Sequence, residues 1–137
     1  MPVIEELIRT EQDGTISFGN YKLETKSKLQ DFEHAGDLYK VKTFYEITKL
    51  ERNGMFVYES VPGTAVENFA VSNDGVAFLV EGDKDAQLTV QLAEDTEYEV
   101  YVEGEAAGSM GTNMSGKLYV SVELNEGTPV SVKINRK

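Results

Sequence analysis

The sequence predicts an all-β protein, with a hairpin-rich β lobe over residues 1–62 followed by a sandwich of two β-sheets over residues 63–137. Two observations predict this fold class. Turn-forming sequences punctuate the chain, and short runs of alternating apolar and polar residues lie between them. The turn sequences are Gln12-Asp13-Gly14, Arg52-Asn53-Gly54, Asn73-Asp74-Gly75 and Asn125-Glu126-Gly127.

In the first half, residues 7–10 and 15–18 are predicted to form one hairpin and residues 30–34 and 38–43 a second. A third hairpin is predicted with Asn53 and Gly54 at its tip, because Asn-Gly suits a type I′ turn whose twist matches antiparallel strands. Pro62 and Gly63 mark the boundary between the two units. Proline cannot donate to a central ladder, and glycine permits a sharp change of direction.

The second half has a cleaner period of two. Alternating apolar residues place one dry and one wet face on each strand, and successive strands follow at about ten-residue spacing, which is typical of packed sheets. At least six strands are expected between Thr64 and Lys137. The alternating apolar positions are Val76, Phe78 and Val80; Leu88, Val90 and Leu92; Tyr98, Val100 and Val102; Leu118, Val120, Val122 and Leu124; and Val130, Val132 and Ile134.

The 137 residues carry 24 acidic and 13 basic side chains, a formal net charge of -11, with no cysteine and no tryptophan. The lack of cysteine excludes disulfides, thiolate zinc sites and thiol catalysis. An acidic chain repels polyphosphates and anionic lipid, so neither nucleic acid nor a membrane is an expected partner. The sequence as written has no secretory leader and no bilayer-spanning apolar run, which predicts a cytoplasmic location unless a signal has been removed.

Acidic residues are concentrated in one stretch of the second half. From Glu81 to Glu105 there are nine acids and one base, Lys84. We interpret the stretch as a solvated outer sheet face that keeps edge strands from pairing with neighbours. The alternative is a docking face for a basic partner, carried by Glu97, Glu99 and Glu103.

Groups that could carry chemistry are explained by simpler roles. His34 is the single histidine, and its place in a predicted hairpin favours an exposed strand or loop residue. The acids of residues 81–85 differ from a calcium loop of the EF-hand type, which needs its glycine at the sixth position, whereas Gly82 stands second. We therefore expect no catalytic residues, no metal and no cofactor.

Two tyrosines lie on the wet phase of their strands. Tyr101 is opposite in parity to Val100, and Tyr119 is opposite in parity to Val120. Cross-strand pairing on an outer sheet face is the simpler interpretation. The alternative is a small aromatic patch formed by both tyrosines, which would bind a partner or a glycan.

Residues 92–104, L-A-E-D-T-E-Y-E-V-Y-V-E-G, resemble the L-x-P-x-T-x-Y-x-V-x-V-x-G stretch of fibronectin type III and related immunoglobulin-like domains. The resemblance covers about residues 64–137 and implies an immunoglobulin-like sandwich there. Leu92, Thr96 and Tyr98 match the tyrosine-corner positions, where the tyrosine hydroxyl bonds to upstream backbone. Glu94 replaces the usual proline. Such domains are frequent accessory modules beside carbohydrate-active catalytic domains.

The whole chain, and residues 50–66 especially, is similar to small acidic bacterial proteins commonly labelled "endosialidase". The label implies a glycoside hydrolase. Sialidases hold the substrate carboxylate with three clustered arginines, whereas the arginines here are Arg9, Arg52 and Arg136, of which Arg52 is predicted at a hairpin tip and Arg136 is next to the last residue. We expect the label to reflect an accessory-like sandwich and not a catalytic centre.

These observations predict a non-catalytic interaction or structural protein that binds a protein partner or its own copies through exposed β edges. A glycan-binding accessory module is the alternative. An endosialidase-type hydrolase is a remote one, because a strong negative charge slows encounter with a polyanionic substrate.

Overall fold

A computed structural model describes residues 3–137, which form thirteen β-strands and no helix. The all-β prediction is confirmed. The strands are β1 Ile8–Thr10, β2 Ile16–Phe18, β3 Ser27–His34, β4 Asp37–Phe44, β5 Ile47–Arg52, β6 Met55–Val61, β7 Ala65–Ser72, β8 Gly75–Glu81, β9 Ala86–Gln91, β10 Glu97–Val102, β11 Glu105–Gly111, β12 Lys117–Val122 and β13 Val130–Arg136. Within these residues no helix is long and apolar enough to cross a membrane.

The strands build two antiparallel sheets. The seven-stranded sheet has the order β1-β2-β7-β8-β13-β10-β11, and the six-stranded sheet has the order β12-β9-β6-β5-β4-β3. Each sheet therefore contains strands from both halves of the sequence. The expected division into residues 1–62 and 63–137 does not match this arrangement, because β2 pairs with β7 and β6 pairs with β9.

The predicted joint is a passage between the sheets. Strand β6 of the six-stranded sheet ends at Val61, and β7 of the seven-stranded sheet begins at Ala65. The peptide bond before Pro62 is cis. The joint turns the chain from one layer into the other, so both halves contribute to a single buried cluster that runs from Ile8 to Ile134.

The core follows the predicted alternation. Every alternating apolar position named above for the second half is buried, apart from Leu92 and Val102, which are half-buried and pack against the same cluster. An aromatic group joins the two layers: the Tyr58 ring of β6 lies 5.3 Å from the Phe18 ring and 5.8 Å from the Phe78 ring, both edge-on. Edge-to-face aromatic packing stabilises such a contact beyond the area it buries.

The Asn-Gly hairpin forms where the sequence predicts it. Asn53 and Gly54 separate β5 from β6, and both have positive φ, 53° and 80°. The Asn53 side chain also accepts a hydrogen bond from the Leu38 amide at 2.9 Å and donates one to Asp37 at 2.9 Å. The tip of one hairpin is thus tied to the start of β4.

Candidate interaction surfaces

Three of the predicted interaction residues lie together on the outer face of β10. Glu97 and Glu99 are exposed and Tyr101 is half-buried, while Tyr98 and Val100 between them point into the core. The Tyr101 hydroxyl donates to Glu99 Oε1 at 3.3 Å. We name Glu97, Glu99 and Tyr101 the acidic row.

The strand beside the acidic row leaves it open. In the pairing of β10 with β11, Gly111 lies opposite Glu97 and Ser109 lies opposite Glu99. Both neighbours are small, and the Glu97 carboxylate lies over Gly111, where an added Cβ would come within 2.5 Å of Glu97 Oε2. On the other side, β13 places Asn135 opposite Glu99 and Lys133 opposite Tyr101.

Glu103 has a different role from the acidic row. It occupies the turn between β10 and β11 with φ 53°, and its carboxylate accepts a hydrogen bond from the Ser131 amide at 2.6 Å. Two further acids of the stretch hold loops in the same way. Buried Glu81 accepts from the Gly127 amide at 3.1 Å, and Asp85 accepts from the Leu124 amide at 3.1 Å. The acids from Glu81 to Glu105 therefore do not form one surface.

The aromatic patch proposed for Tyr101 and Tyr119 does not form. Tyr101 is on β10 of the seven-stranded sheet, whereas Tyr119 is on β12 of the six-stranded sheet, opposite Thr89. Alternation along a strand predicts which face a side chain takes but not which sheet the strand joins. Tyr119 is 50% exposed, and the other tyrosine of the predicted patch is not on its sheet.

The three residues matched to the tyrosine-corner positions each form a hydrogen bond to backbone. The Tyr98 hydroxyl accepts a hydrogen bond from the backbone amide of Ala93, five residues upstream, at 3.1 Å. Thr96 donates its hydroxyl to the Glu94 carbonyl at 2.7 Å, and half-buried Leu92 bonds through its amide to the Gly116 carbonyl at 2.7 Å. These residues hold the loop between β9 and β10 and are structural.

Sequence reasoning missed a basic surface on the outer face of the six-stranded sheet. Lys28 lies directly opposite Lys42 in the pairing of β3 with β4, and Lys42 lies directly opposite Lys49 in the pairing of β4 with β5. Lys40, two residues from Lys42, and Glu51, directly opposite Lys40 on β5, complete the lining of a shallow depression. We name Lys28, Lys40, Lys42 and Lys49 the lysine face.

Repulsion within the lysine face is only partly relieved. Like charges directly opposite each other on neighbouring strands are destabilising. The pKa of Lys42 is lowered, first by partial burial and then by the positive charges of Lys26, Lys49, Lys28 and Lys40. Among the described residues, the one ion pair of the lysine face joins Lys49 Nζ to Glu51 Oε2 at 3.6 Å. The lysine face therefore favours an anion.

A groove of about 610 Å³ continues the lysine face towards the joint between β6 and β7. Its floor is apolar, and the rings of Phe44 and Tyr45 meet edge-on with centroids 5.3 Å apart. Tyr45 is 50% exposed, and Lys26 Nζ lies 5.7 Å from the Phe44 ring centroid. The lining residues are Lys26, Lys42, Phe44, Tyr45, Glu46, Ile47, Val61, Pro62 and Lys84.

The sheets also present four edge strands, β1 and β11 in one and β3 and β12 in the other. Strand β11 is the most open of these: six of its seven residues are exposed, and Met110 is half-buried. It pairs with β10 alone, so one side of its backbone has no partner strand in the described chain.

The side chains of residues 3–137 form no metal-binding cluster. No group of three or more His, Asp or Glu side chains there could hold a metal ion. His34 Nδ1 instead lies 3.0 Å from the Thr10 hydroxyl and its ring packs edge-on against Tyr39. Arg9 is engaged with Glu11 at 2.9 Å and with Glu6 at 3.7 Å.

Comparison of the chain with protein-family models, with curated proteins and with solved structures found no match. What the protein does is therefore inferred from its own residues.

Proposed function

We propose that the protein is a non-catalytic interaction protein that associates with its own copies through the free edge of β11. The observation that carries the proposal is the exposure of Glu105–Gly111 along a strand that pairs on one side only. Unpaired backbone N–H and C=O groups on such a strand are a template for another strand.

The composition of β11 supports pairing. Proteins commonly protect an edge with lysine, proline or a twisting bulge, and β11 contains neither lysine nor proline. The register between β10 and β11 shifts after Val100, so the bulge lies towards one end and leaves residues 108–111 in regular pairing. The small residues Gly108 and Ser109 allow a second chain to approach closely.

The experiment compares two variants that add one positive charge to an edge. Ala107→Lys places a charge on β11, and Ser121→Lys places the same charge on the exposed edge strand β12. Multi-angle light scattering of the full chain is expected to show weaker association for Ala107→Lys than for the wild type, since like charges repel across a new strand pair. Ser121→Lys should behave as the wild type. Equal association in all three would remove β11 from the proposal.

The immunoglobulin-like, fibronectin type III-like assignment of residues 63–137 also remains a proposal. The bond between the Ala93 amide and the Tyr98 hydroxyl supports it, because a tyrosine corner pins the passage between sheets in that fold. Both sheets also contain strands from the first half of the chain, which the simple form of that fold does not have.

A glycan-binding role is the second candidate, and the aromatic groove is the observation that favours it. Exposed Tyr45 beside Phe44 offers an apolar platform of the kind on which a sugar ring packs, at a place different from Tyr101 and Tyr119. A glycan array is expected to give a signal that Tyr45→Ala abolishes and Tyr119→Ala preserves. An array without signal would end this candidate and leave self-association untouched.

A further inference from the structure

We propose that the lysine face of one copy binds the acidic row of a second copy. The inference rests on the proposed self-association and adds a second contact surface to it. The lysine face lies on the outer face of the six-stranded sheet, and the acidic row lies on the outer face of the seven-stranded sheet.

The two surfaces repeat one pattern with opposite charge. The outer face of β4 carries Lys40, Lys42 and Phe44 in alternate positions, and the outer face of β10 carries Glu97, Glu99 and Tyr101 in alternate positions. Alternate residues of a strand are about 7 Å apart. If β4 of one copy packs face to face on β10 of a second copy, with both strands running in the same direction, Lys40 meets Glu97 and Lys42 meets Glu99. The two aromatic rings then also meet.

The lysine face gains most from such a contact. Lys42 stands between Lys28 and Lys49 with a lysine directly opposite it on each side. A carboxylate placed above Lys42 would reduce both repulsions at once, and charge-assisted hydrogen bonds to carboxylates are stronger than neutral ones. Lys28 and Lys49 widen the positive surface across three strands. The acidic row can therefore still face lysines when the two sheets are rotated by about 30° relative to each other, as aligned sheets are.

The acidic row is shaped for the contact. Ser109 and Gly111 on β11 are small, and Glu99 and Glu97 opposite them are both exposed, so a second sheet can reach them. Three lysines flank the surfaces: Lys133 lies opposite Tyr101, the Lys137 amide donates to the Glu97 carbonyl at 3.0 Å, and Lys26 lies near Phe44 at the far end of the lysine face. Lys133 and Lys26 lie at the aromatic end, whereas Lys137 lies beside Glu97.

Because the two surfaces belong to different sheets, one copy can use both at once. A contact between two unlike surfaces is heterologous and generates a ring or an open chain of copies, not a symmetric dimer. The contact leaves the edge of β11 free, so edge pairing can join such chains. The net charge of -11 repels copies at long range, which opposes the local attraction. A simple salt series therefore does not isolate the contact, whereas exchanging charges does.

The experiment reverses one charge on each surface. Lys42→Glu and Glu99→Lys each alter one of the two surfaces, and Lys22→Glu and Glu123→Lys are controls that make the same changes in charge at exposed residues outside both surfaces. Near-ultraviolet circular dichroism and thermal unfolding check that all variants are folded. Sedimentation velocity of each full chain is expected to show association weakened about tenfold or more for Lys42→Glu and for Glu99→Lys, with the controls close to the wild type.

Mixing the two variants supplies the decisive readout. Each variant has one intact surface, and the two altered surfaces also complement each other, so an equimolar mixture should recover the association of the wild type. Recovery supports the pairing. Association that is unchanged in both variants, or lost in both without recovery on mixing, overturns it. If the wild-type chain binds polyglutamate more tightly than it binds its own copies, the lysine face belongs to a foreign acidic partner and the pairing is overturned as well. A wild type that remains monomeric contradicts the proposed self-association itself, and with it this pairing.

Discussion

The hydroxyl of Tyr58 on β6 lies 2.9 Å from the hydroxyl of Thr64, at the point where the chain leaves one sheet for the other. Thr64 also lies 2.8 Å from the Ser60 hydroxyl, and its carbonyl accepts a hydrogen bond from Thr48 at 2.8 Å. Thr48 in turn meets the Thr43 hydroxyl at 2.8 Å. This buried chain of hydroxyl groups ties β4, β5 and β6 to the entrance of β7.

Thr64→Val is expected to lower the free energy of unfolding by about 2 to 4 kcal/mol. Valine keeps the shape of threonine but leaves the buried Tyr58 and Ser60 hydroxyls without this partner, and each unsatisfied buried group costs about 1 to 3 kcal/mol. The control is exposed Thr128→Val, which should change stability by no more than about 0.5 kcal/mol. Urea unfolding measures both, and equal stability of the two variants would show that the hydroxyl chain contributes little.

Alanine at two glycines should separate backbone strain from steric conflict. Gly54 has φ 80° with open space around it, so Gly54→Ala is expected to cost about 1 to 2 kcal/mol. Gly19 has φ 100°, and a Cβ there would press on the Thr64 carbonyl oxygen and lie 3.2 Å from Thr48 Cγ2. Gly19→Ala should therefore cost roughly 1 to 3 kcal/mol more than Gly54→Ala. Thermal unfolding measures both variants, and similar losses of stability in the two would argue against close packing at Gly19.

Tyr21→Phe is expected to leave stability unchanged or to raise it. The Tyr21 hydroxyl is buried and has no hydrogen-bond partner among residues 3–137. Burial, and then the charges of Glu81, Glu126 and Asp83, raise its pKa from 10.0 to about 12. The folded state therefore holds this proton more tightly than the unfolded state, so stability falls as pH rises from 10.0 towards about 12.

The phenylalanine variant should lose less stability than the wild type across that alkaline range. Guanidinium unfolding at several pH values measures the difference, with Tyr119→Phe on the exposed face of β12 as the control. A loss of about 1 kcal/mol or more at neutral pH would indicate a hydroxyl partner that Tyr21→Phe removes.

Glu11 should stabilise the first hairpin only above its own titration range. The Ser17 hydroxyl donates to Glu11 at 2.5 Å and Arg9 donates at 2.9 Å, and these two contacts lower the pKa of the carboxyl below 4.5. A lowered pKa gives stability that is present at neutral pH and lost as pH falls through the folded value. Glu11→Gln is expected to cost about 1 kcal/mol at pH 7, a cost that shrinks below pH 4.5. A cost independent of pH would contradict the assignment, and exposed Glu123→Gln is the control.

Local pattern was sufficient for the strands but not for the sheets. Alternation placed Val100 and Val120 in the core and Tyr101 and Tyr119 outside it, as found. It gave no information on strand order, because a strand such as β12 can pair with β9 or with β11 without changing its own pattern. The separation of the two tyrosines and the merging of the two expected lobes both follow from that order.

The lysine face was hidden for a related reason. Lys40 and Lys42 alternate with buried Tyr39 and Val41, so the sequence does place them on an outer face. Their meeting with Lys28 and Lys49 depends on the register of three strands, which crosses two turns. The net charge of the first half sums the charges of these lysines with those of acids elsewhere. The net charge of an acidic chain therefore does not indicate that one of its surfaces is basic.

Self-association is the central claim, and sedimentation velocity of the wild-type full chain over a wide range of concentration tests it most directly. The proposed function predicts that the weight-average mass rises with concentration above the 15.2 kDa of one chain. A mass that stays at 15.2 kDa at every concentration would contradict it.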